Sequence, residues 1–270
     1  MQSKITGGAT VKIFSGKILG KYQVDYFKCL DTGFIQTEEP YWLKEAYSSA
    51  ITKLDIGLAS RNEHLRNVVA GIISRHFNIN AMYLDYAGGY GLFTRLMRDN
   101  GFDYYHFDPY CKNIFSEYFE LADSGKDSNF ELVTASEVFE HLPDPVPAIR
   151  EMLRFSDNLF FTTELQPEKL TTIDDWTYFI PETGQHVSFY TEKSLAYIAH
   201  QFGRHFYTNG VNLHMFTAKE LEKNPFEKEQ IPFLIRTMKR KVERFFRAKN
   251  SSKESLLQRD WEMIREKLTS

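Results

Sequence analysis

The sequence has few of the features that mark secreted, membrane or nucleic-acid-coating proteins. Its 270 residues include two cysteines, Cys29 and Cys111, too few for a disulfide framework or a four-thiolate zinc site. No apolar run approaches the roughly 20 residues needed to cross a bilayer, and no signal peptide is recognisable. The formal net charge of -3 gives no support for a surface that binds nucleic acid. We therefore expect a cytoplasmic protein without a nucleic-acid partner.

Aromatic residues are plentiful, with 23 Phe and 15 Tyr, enough to fill a core and to line a pocket. From residue 81 to residue 218, short apolar runs alternate with amphipathic ones, which is typical of strands joined by helices. The composition divides the chain into four parts. They are a small β unit over 1–42, a helical cap or lid over 43–80, a cofactor-binding domain over 81–218 and a basic helical tail over 219–270.

The central domain is predicted to be α/β, with a mostly parallel sheet and helices on both faces. Helices are expected to begin near Gly91, Asn113, Val146 and Thr191. The turn "NGVN" is too short for a crossover helix, so the last strand should run antiparallel to its neighbour. The six predicted strands cover residues 82–87, 104–108, 131–136, 158–163, 205–210 and 213–217.

One corner of this domain suggests a ligand. In "YLDYAGGYG" a predicted strand turns into a helix, and Gly89 and Gly91 would let a ligand approach bare backbone. An isolated corner of this kind is often only a tight turn. Asp108, however, ends the next strand, where a carboxylate can accept hydrogen bonds from a ribose diol. The combination favours a cofactor that contains a nucleoside.

Three segments resemble class I S-adenosylmethionine (SAM) dependent methyltransferases, with their Rossmann-like sheet. The corner is similar to the family's DxGxGxG, with Ala87 in place of the first glycine. The stretch "GQHVSFYT" resembles small-molecule methyltransferases, including enzymes that act on sugars. The resemblance covers about residues 82–217. The family's EVxEHxxDP pattern is matched by Glu137, Val138, Glu140, His141, Asp144 and Pro145.

The resemblance implies SAM as the cofactor and methyl transfer, most readily to oxygen, to a small-molecule or glycan acceptor. No metal is expected. Tyr47 and Arg61 belong to the segment that would close over SAM, and Arg61 could pair with its carboxylate or simply be solvated. The gap before Phe130 is short, so the family's acid near adenine has no clear counterpart, although Asp123 and Asp127 are close. The cofactor contacts implied are Asp85, Ala87, Gly89, Gly91, Asp108, Glu137, Tyr47 and Arg61.

The segment from 165 to 187 should lie over the carboxyl ends of the strands, where open α/β sheets bind ligands. It offers Trp176, Tyr178 and Gln185 for the acceptor. His186 is the first candidate for the base that takes the acceptor's proton, because imidazole titrates near neutrality. His141 and Glu140 are the next candidates, and a hydrogen bond to backbone is the alternative role for both histidines.

Two alternatives to an enzyme of this type remain. The chain could be a non-catalytic subunit with a SAM-binding or nucleotide-sugar-binding fold. An NAD-dependent oxidoreductase is disfavoured, because Thr94 occupies the position of the third glycine in the dinucleotide pattern.

The basic, amphipathic residues 231–250 either pack on their own domain or on a second copy in a homodimer, or contact an anionic membrane or polyanion. Packing is the favoured interpretation.

Overall fold

The structure is a computed structural model that describes residues 1–48, 51–125, 129–227 and 254–269. Its described part contains two sheets and six α-helices. The strands are β1 (Thr10–Ile18), β2 (Tyr22–Cys29), β3 (Ile35–Thr37), β4 (Met82–Tyr86), β5 (Asp103–Phe107), β6 (Leu132–Ser136), β7 (Leu159–Thr162), β8 (Ser188–Phe189), β9 (His205–Thr208) and β10 (Leu213–Thr217). The helices are α1 (Leu43–Ala46), α2 (Leu58–His76), α3 (Leu92–Asp99), α4 (Pro145–Met152), α5 (Glu192–Gln201) and α6 (Leu257–Thr269).

The large sheet has the strand order β5-β4-β6-β7-β10-β9. The strands β5, β4, β6 and β7 are parallel, and β10 runs antiparallel to β7 and to β9. The tight turn before β10 depends on Asn209, whose side-chain oxygen accepts hydrogen bonds from the N–H groups of Val211, Asn212 and Leu213. All six predicted strands exist, and the prediction of a mostly parallel α/β sheet with an antiparallel last strand is confirmed.

Helices cover both faces of this sheet because its strands are apolar on both sides. Strand β7 is buried along its whole length, and β6 is buried at four of its five positions. On one face, α2 and α3 share a core with Tyr83, Tyr104 and Phe160. On the other face, α4 and α5 pack against Leu84 and Phe161. A two-sided apolar sheet is stable only when both faces are covered in this way.

One local prediction was wrong. The helix expected near Asn113 is absent from this described stretch, because the Asn113 side chain accepts a hydrogen bond from the Ser116 N–H and donates one to the Ser116 carbonyl. Such bonds compete with helical backbone pairing. In the short gap before Phe130, the stretch "YFEL" makes one isolated bridge, between His106 and Glu120. The cap predicted over 43–80 begins with the single helical turn α1.

The small sheet has the order β1-β2-β3-β8, and all of its pairs are antiparallel. Because β8 comes from the "GQHVSFYT" segment, the N-terminal β unit holds that segment in place beside the large sheet. No helix of the described residues is long and apolar enough to span a membrane.

The last helix, α6, is attached to the large domain by a buried ion pair. Asp260 is 2% exposed, and its two oxygens accept hydrogen bonds from Nε and Nη2 of Arg98 at 2.8 and 2.9 Å. Arg95 donates a further hydrogen bond to Asp260 at 3.0 Å. The basic segment 231–250 lies outside the described residues, so its role stays a prediction.

Candidate functional site

A cleft of about 1240 Å³ opens at the carboxyl ends of β4, β5 and β6, under the cap segment. This is where open α/β sheets bind ligands. Most of the predicted site residues line it. They are Tyr47, Arg61, Asp85, Ala87, Gly89, Asp108, Glu137, Glu140, His141, Tyr178, Gln185 and His186. The lining does not include Gly91 or Trp176.

The corner after β4 is held in left-handed backbone. Ala87 has φ 55°, Gly89 φ 58° and Gly91 φ 82°. A Cβ atom on Gly91 would lie 2.3 Å from Oδ1 of Asn113, so this glycine is required by packing against the following loop rather than by a ligand. Gly91 is not among the residues that line the cleft, and its contact with the cofactor stays a prediction. Gly89 does face the cleft, and Ile51 of the cap lies close to it.

The buried side chain of Asp85 packs against the backbone of this corner. The carboxylate is 2% exposed and accepts hydrogen bonds from the hydroxyls of Thr94 and Thr134 at 3.1 and 3.2 Å. Burial raises the pKa of Asp85 to about 7, and the two hydroxyls offset part of that effect. A Cβ on Gly88 would lie 2.4 Å from Oδ2 of Asp85. A glycine at this position therefore lets the backbone of the corner pack directly against the carboxylate.

Asp108 is fixed by backbone N–H groups of the glycine corner and of the loop after β5. Its Oδ2 accepts a hydrogen bond from the Gly89 N–H at 2.9 Å. Its Oδ1 accepts hydrogen bonds from the N–H groups of Tyr110 and Cys111 at 2.7 and 2.8 Å. The carboxylate therefore ties the glycine corner to the loop after β5. These three bonds use three of the carboxylate's roughly four acceptor positions, so one position on Oδ2 remains for a hydroxyl of a ligand.

The cap brings Tyr47 and Arg61 to the cleft. Arg61 donates hydrogen bonds to both oxygens of Asp55, at 2.9 and 3.1 Å, so this guanidinium already has a carboxylate partner. Tyr47 stacks on Tyr110 across the cleft mouth, with ring centroids 6.2 Å apart. Asp55 and Tyr110 both lie in loops, so no periodic pattern of the sequence pointed to them.

Glu137 follows β6 in a strained conformation, with φ 55° in a residue that is not glycine. Thr162 on the neighbouring strand β7 holds it there. The threonine hydroxyl accepts a hydrogen bond from the Glu137 N–H at 2.9 Å and donates one to Oε1 at 2.6 Å. Burial and the nearby Glu140 raise the pKa of Glu137 to about 7. Strain of this kind concentrates at functional sites.

Glu140 lies in the short 3-10 helix Phe139–His141 and is fully buried. Neither carboxylate oxygen makes a hydrogen bond of ordinary geometry to any residue that the structure describes. Burial raises the pKa of Glu140 to about 7, although the hydroxyls of Tyr178 and Thr163 are close enough to offset part of the shift. A buried carboxylate without a partner is costly, so this group is available to a ligand.

Two histidines face Glu140, and backbone carbonyls fix the orientation of both. Nδ1 of His141 lies 3.2 Å from the Gln185 carbonyl, and Nδ1 of His186 lies 2.6 Å from the Tyr178 carbonyl. Because a carbonyl only accepts, each Nδ1 carries the proton and each Nε2 keeps its lone pair. Burial and the neighbouring His141 lower the pKa of His186 to about 3, so this imidazole is a weak proton acceptor. Burial also lowers the pKa of His141.

The acceptor wall differs from the prediction in one respect. Trp176 packs in the core against Phe179 and Phe189, and its indole N–H donates to Glu164. This location corrects the expectation that Trp176 lines the acceptor site. Gln185 does line the cleft, and its amide donates to the carbonyl of Ala46 at the end of α1.

A family model described as "Methyltransferase domain" matches residues 61–205, more than half of the chain. Among curated proteins, none matches this sequence at a significant level. Solved structures with a related fold include magnesium protoporphyrin IX methyltransferase from Synechocystis PCC 6803 with bound SAM. It is 13% identical, with 65% of this chain and 89% of that one covered and a TM-score of 0.41.

An O-methyltransferase family protein from Burkholderia thailandensis is 10% identical, with 60% of this chain and 57% of that one covered and a TM-score of 0.42. Human N-acetylserotonin methyltransferase in complex with SAM is also 10% identical, over 59% of this chain and 55% of that one, with a TM-score of 0.39. At these values the family model alone carries the assignment. The chain belongs to the methyltransferase-domain family, as its motifs predicted, and is a class I SAM-dependent methyltransferase.

Proposed function

We propose that this enzyme transfers the methyl group of SAM to a hydroxyl oxygen of a small, sugar-type acceptor. The single observation that carries the proposal is the position of Glu140. Its buried carboxylate has no hydrogen-bond partner among the described residues, yet it lies in the wall of the same cleft as the glycine corner. A hydroxyl donor is the ligand that such a carboxylate lacks.

The size of the cleft supports an acceptor beside the cofactor. Sites for one small ligand commonly measure about 300 to 1000 Å³, and this cleft is larger, at about 1240 Å³. The cofactor would lie against Gly89 and Asp108, which leaves the Glu140 side of the cleft for the acceptor. Tyr47 and Tyr110 at the mouth offer flat apolar surfaces on which a sugar ring could pack.

The reaction needs one bond formed, one bond broken and one proton accepted. The acceptor oxygen attacks the methyl carbon in line with the sulfonium, a C–O bond forms, and the S–C electron pair returns to sulfur, which leaves S-adenosylhomocysteine. Glu140 would accept the hydroxyl proton as the bond forms. Positioning of the two reactants supplies much of the remaining acceleration.

The test is a comparison of wild type with Glu140→Gln, which keeps the shape of the side chain and removes its capacity as a base. The proteins are incubated with SAM and a panel of sugar-type and phenolic acceptors, and S-adenosylhomocysteine and methylated product are measured by mass spectrometry. We expect wild type to methylate at least one hydroxyl acceptor, and Glu140→Gln to be slower by about 10² to 10⁴. SAM affinity should be unchanged in the variant.

Two results would contradict the proposal. If the product carried its methyl group on nitrogen or carbon, the O-methylation assignment would be wrong. If wild type bound SAM tightly but methylated nothing in a broad metabolite pool, a non-catalytic SAM-binding subunit would be favoured instead.

A further inference from the structure

The cluster of Glu140, His141 and His186 has the composition of a metal-ion site. Each side chain can offer one ligand atom, and these atoms lie within 4.8 Å of one another. The two imidazole rings meet edge to face, with centroids 4.8 Å apart. The three residues come from two segments, the turn after β6 and the turn before β8. Only the fold brings them together.

The orientation of the two histidines is the first argument for a metal. A histidine that binds a metal through one nitrogen usually donates its other N–H to a carbonyl or carboxylate, which fixes the ring and its tautomer. His141 and His186 both show this arrangement, with their Nδ1 groups against the carbonyls of Gln185 and Tyr178. Both Nε2 lone pairs are therefore available as ligands.

Glu140 provides a second, independent argument. It is 0% exposed, it lines the cleft, and neither of its oxygens has a hydrogen-bond partner in the described part of the chain. Burial of an ionised carboxylate is tolerated when it is paired or coordinates a cation. A structural carboxylate would normally be satisfied by donors of the surrounding protein. Here the hydroxyls of Tyr178 and Thr163 are close but make no hydrogen bond of ordinary geometry to it, whereas His141 and His186 each place a ring nitrogen within 4.8 Å of one of its oxygens.

We propose that Glu140, His141 and His186 bind one divalent transition-metal ion of the zinc type, through one carboxylate oxygen and the two Nε2 atoms. Two imidazoles and one carboxylate are the ligand set of catalytic zinc sites that keep a fourth position open. Magnesium is disfavoured because it prefers oxygen ligands.

The geometry needs only a small adjustment to close around an ion. Ligand atoms about 2.1 Å from a tetrahedral zinc ion are about 3.4 Å apart. The ligand atoms of the three side chains are now at most 4.8 Å apart. Side-chain rotations that move these atoms by about an ångström or slightly more would bring them to the zinc spacing. Since all three residues line the cleft, an open position on the ion would be reached from the cleft.

The role of the ion rests on the proposed function, whereas its binding does not. If the enzyme methylates a hydroxyl, the acceptor oxygen would take the open position on the ion, and the Glu140 oxygen that does not bind the ion would take the hydroxyl proton. The acceptor class is then one with a hydroxyl that can bind a metal. The sequence-based expectation of a metal-free site would be replaced.

The experiment measures binding in the absence of any substrate. Purified full-length protein is stripped with a chelator, then titrated with Co²⁺ followed by visible absorption and with Zn²⁺ followed by equilibrium dialysis and elemental analysis. We expect one equivalent of metal and the visible bands of a four- or five-coordinate cobalt ion. Glu140→Gln and His186→Gln should each weaken binding by 10-fold or more.

Matched controls separate this site from adventitious binding. Glu164→Gln removes another carboxylate of the same cleft, and His200→Ala removes an exposed imidazole, so both should bind cobalt like wild type. A measurement on wild type guards against variants that do not fold. Proton NMR of the cobalt form should show two shifted exchangeable signals from the Nδ1–H groups of His141 and His186. Absence of stoichiometric binding, or equal binding by wild type and Glu140→Gln, would overturn the proposal.

Discussion

Replacement of Asp108 by alanine tests how this enzyme holds its cofactor. If the carboxylate binds the ribose diol, its removal deletes hydrogen bonds to a charged group, which contribute about 1.5 to 3 kcal/mol. That loss corresponds to a SAM dissociation constant raised roughly 10- to 150-fold. The same change removes the acceptor for the N–H groups of Gly89, Tyr110 and Cys111. The glycine corner would lose its hydrogen-bonded connection to the loop after β5. We therefore expect the increase in the SAM dissociation constant to lie in the upper part of this range.

Titration calorimetry with SAM measures the effect, and urea denaturation confirms that the variant is folded. Asp108→Asn keeps one carbonyl oxygen and should give an intermediate loss of affinity. The control is Asp123→Asn, since Asp123 does not line the cleft and its carboxylate accepts a hydrogen bond from the Glu120 N–H. A folded Asp108→Ala protein with wild-type SAM affinity would refute the ribose contact.

Asp85→Asn and Ala87→Gly test how the buried carboxylate and the left-handed backbone of the glycine corner affect stability. Burial raises the pKa of Asp85 to about 7, so the stability contributed by its neutral form is present at low pH and lost as pH rises toward 7. The measurement is the unfolding free energy of wild type minus that of Asp85→Asn. This difference should fall by about 1 to 4 kcal/mol between about pH 5 and about pH 8. A difference that stayed constant would show that Asp85 has an ordinary pKa. Ala87→Gly should raise the unfolding free energy by about 0.5 to 1 kcal/mol in urea titrations, because alanine is strained at φ 55°, and a loss of stability would contradict this.

Much of the fold could be predicted because its signals are local. A buried parallel strand needs a short apolar run, and the strands β4, β6 and β7 are such runs in the sequence. The turn "NGVN" predicted the antiparallel β10 in the same way, since its length excludes a crossover helix. The loop at Asn113 escaped prediction, because side-chain hydrogen bonds to Ser116 outweighed the helical pattern.

The sequence by itself determined the order of the strands along the chain, the position of the glycine corner and the residue types available to the site. It could not determine which of these residues meet, because Glu140 and His186 are 46 positions apart and no local pattern links them. The tertiary structure places His186 beside His141, buries Trp176 in the core and leaves the buried carboxylate of Glu140 without a hydrogen bond of ordinary geometry to any described residue. Those outcomes depend on the pairing of β8 with β3 and on the turn after β6, which position side chains from separate segments around one cleft.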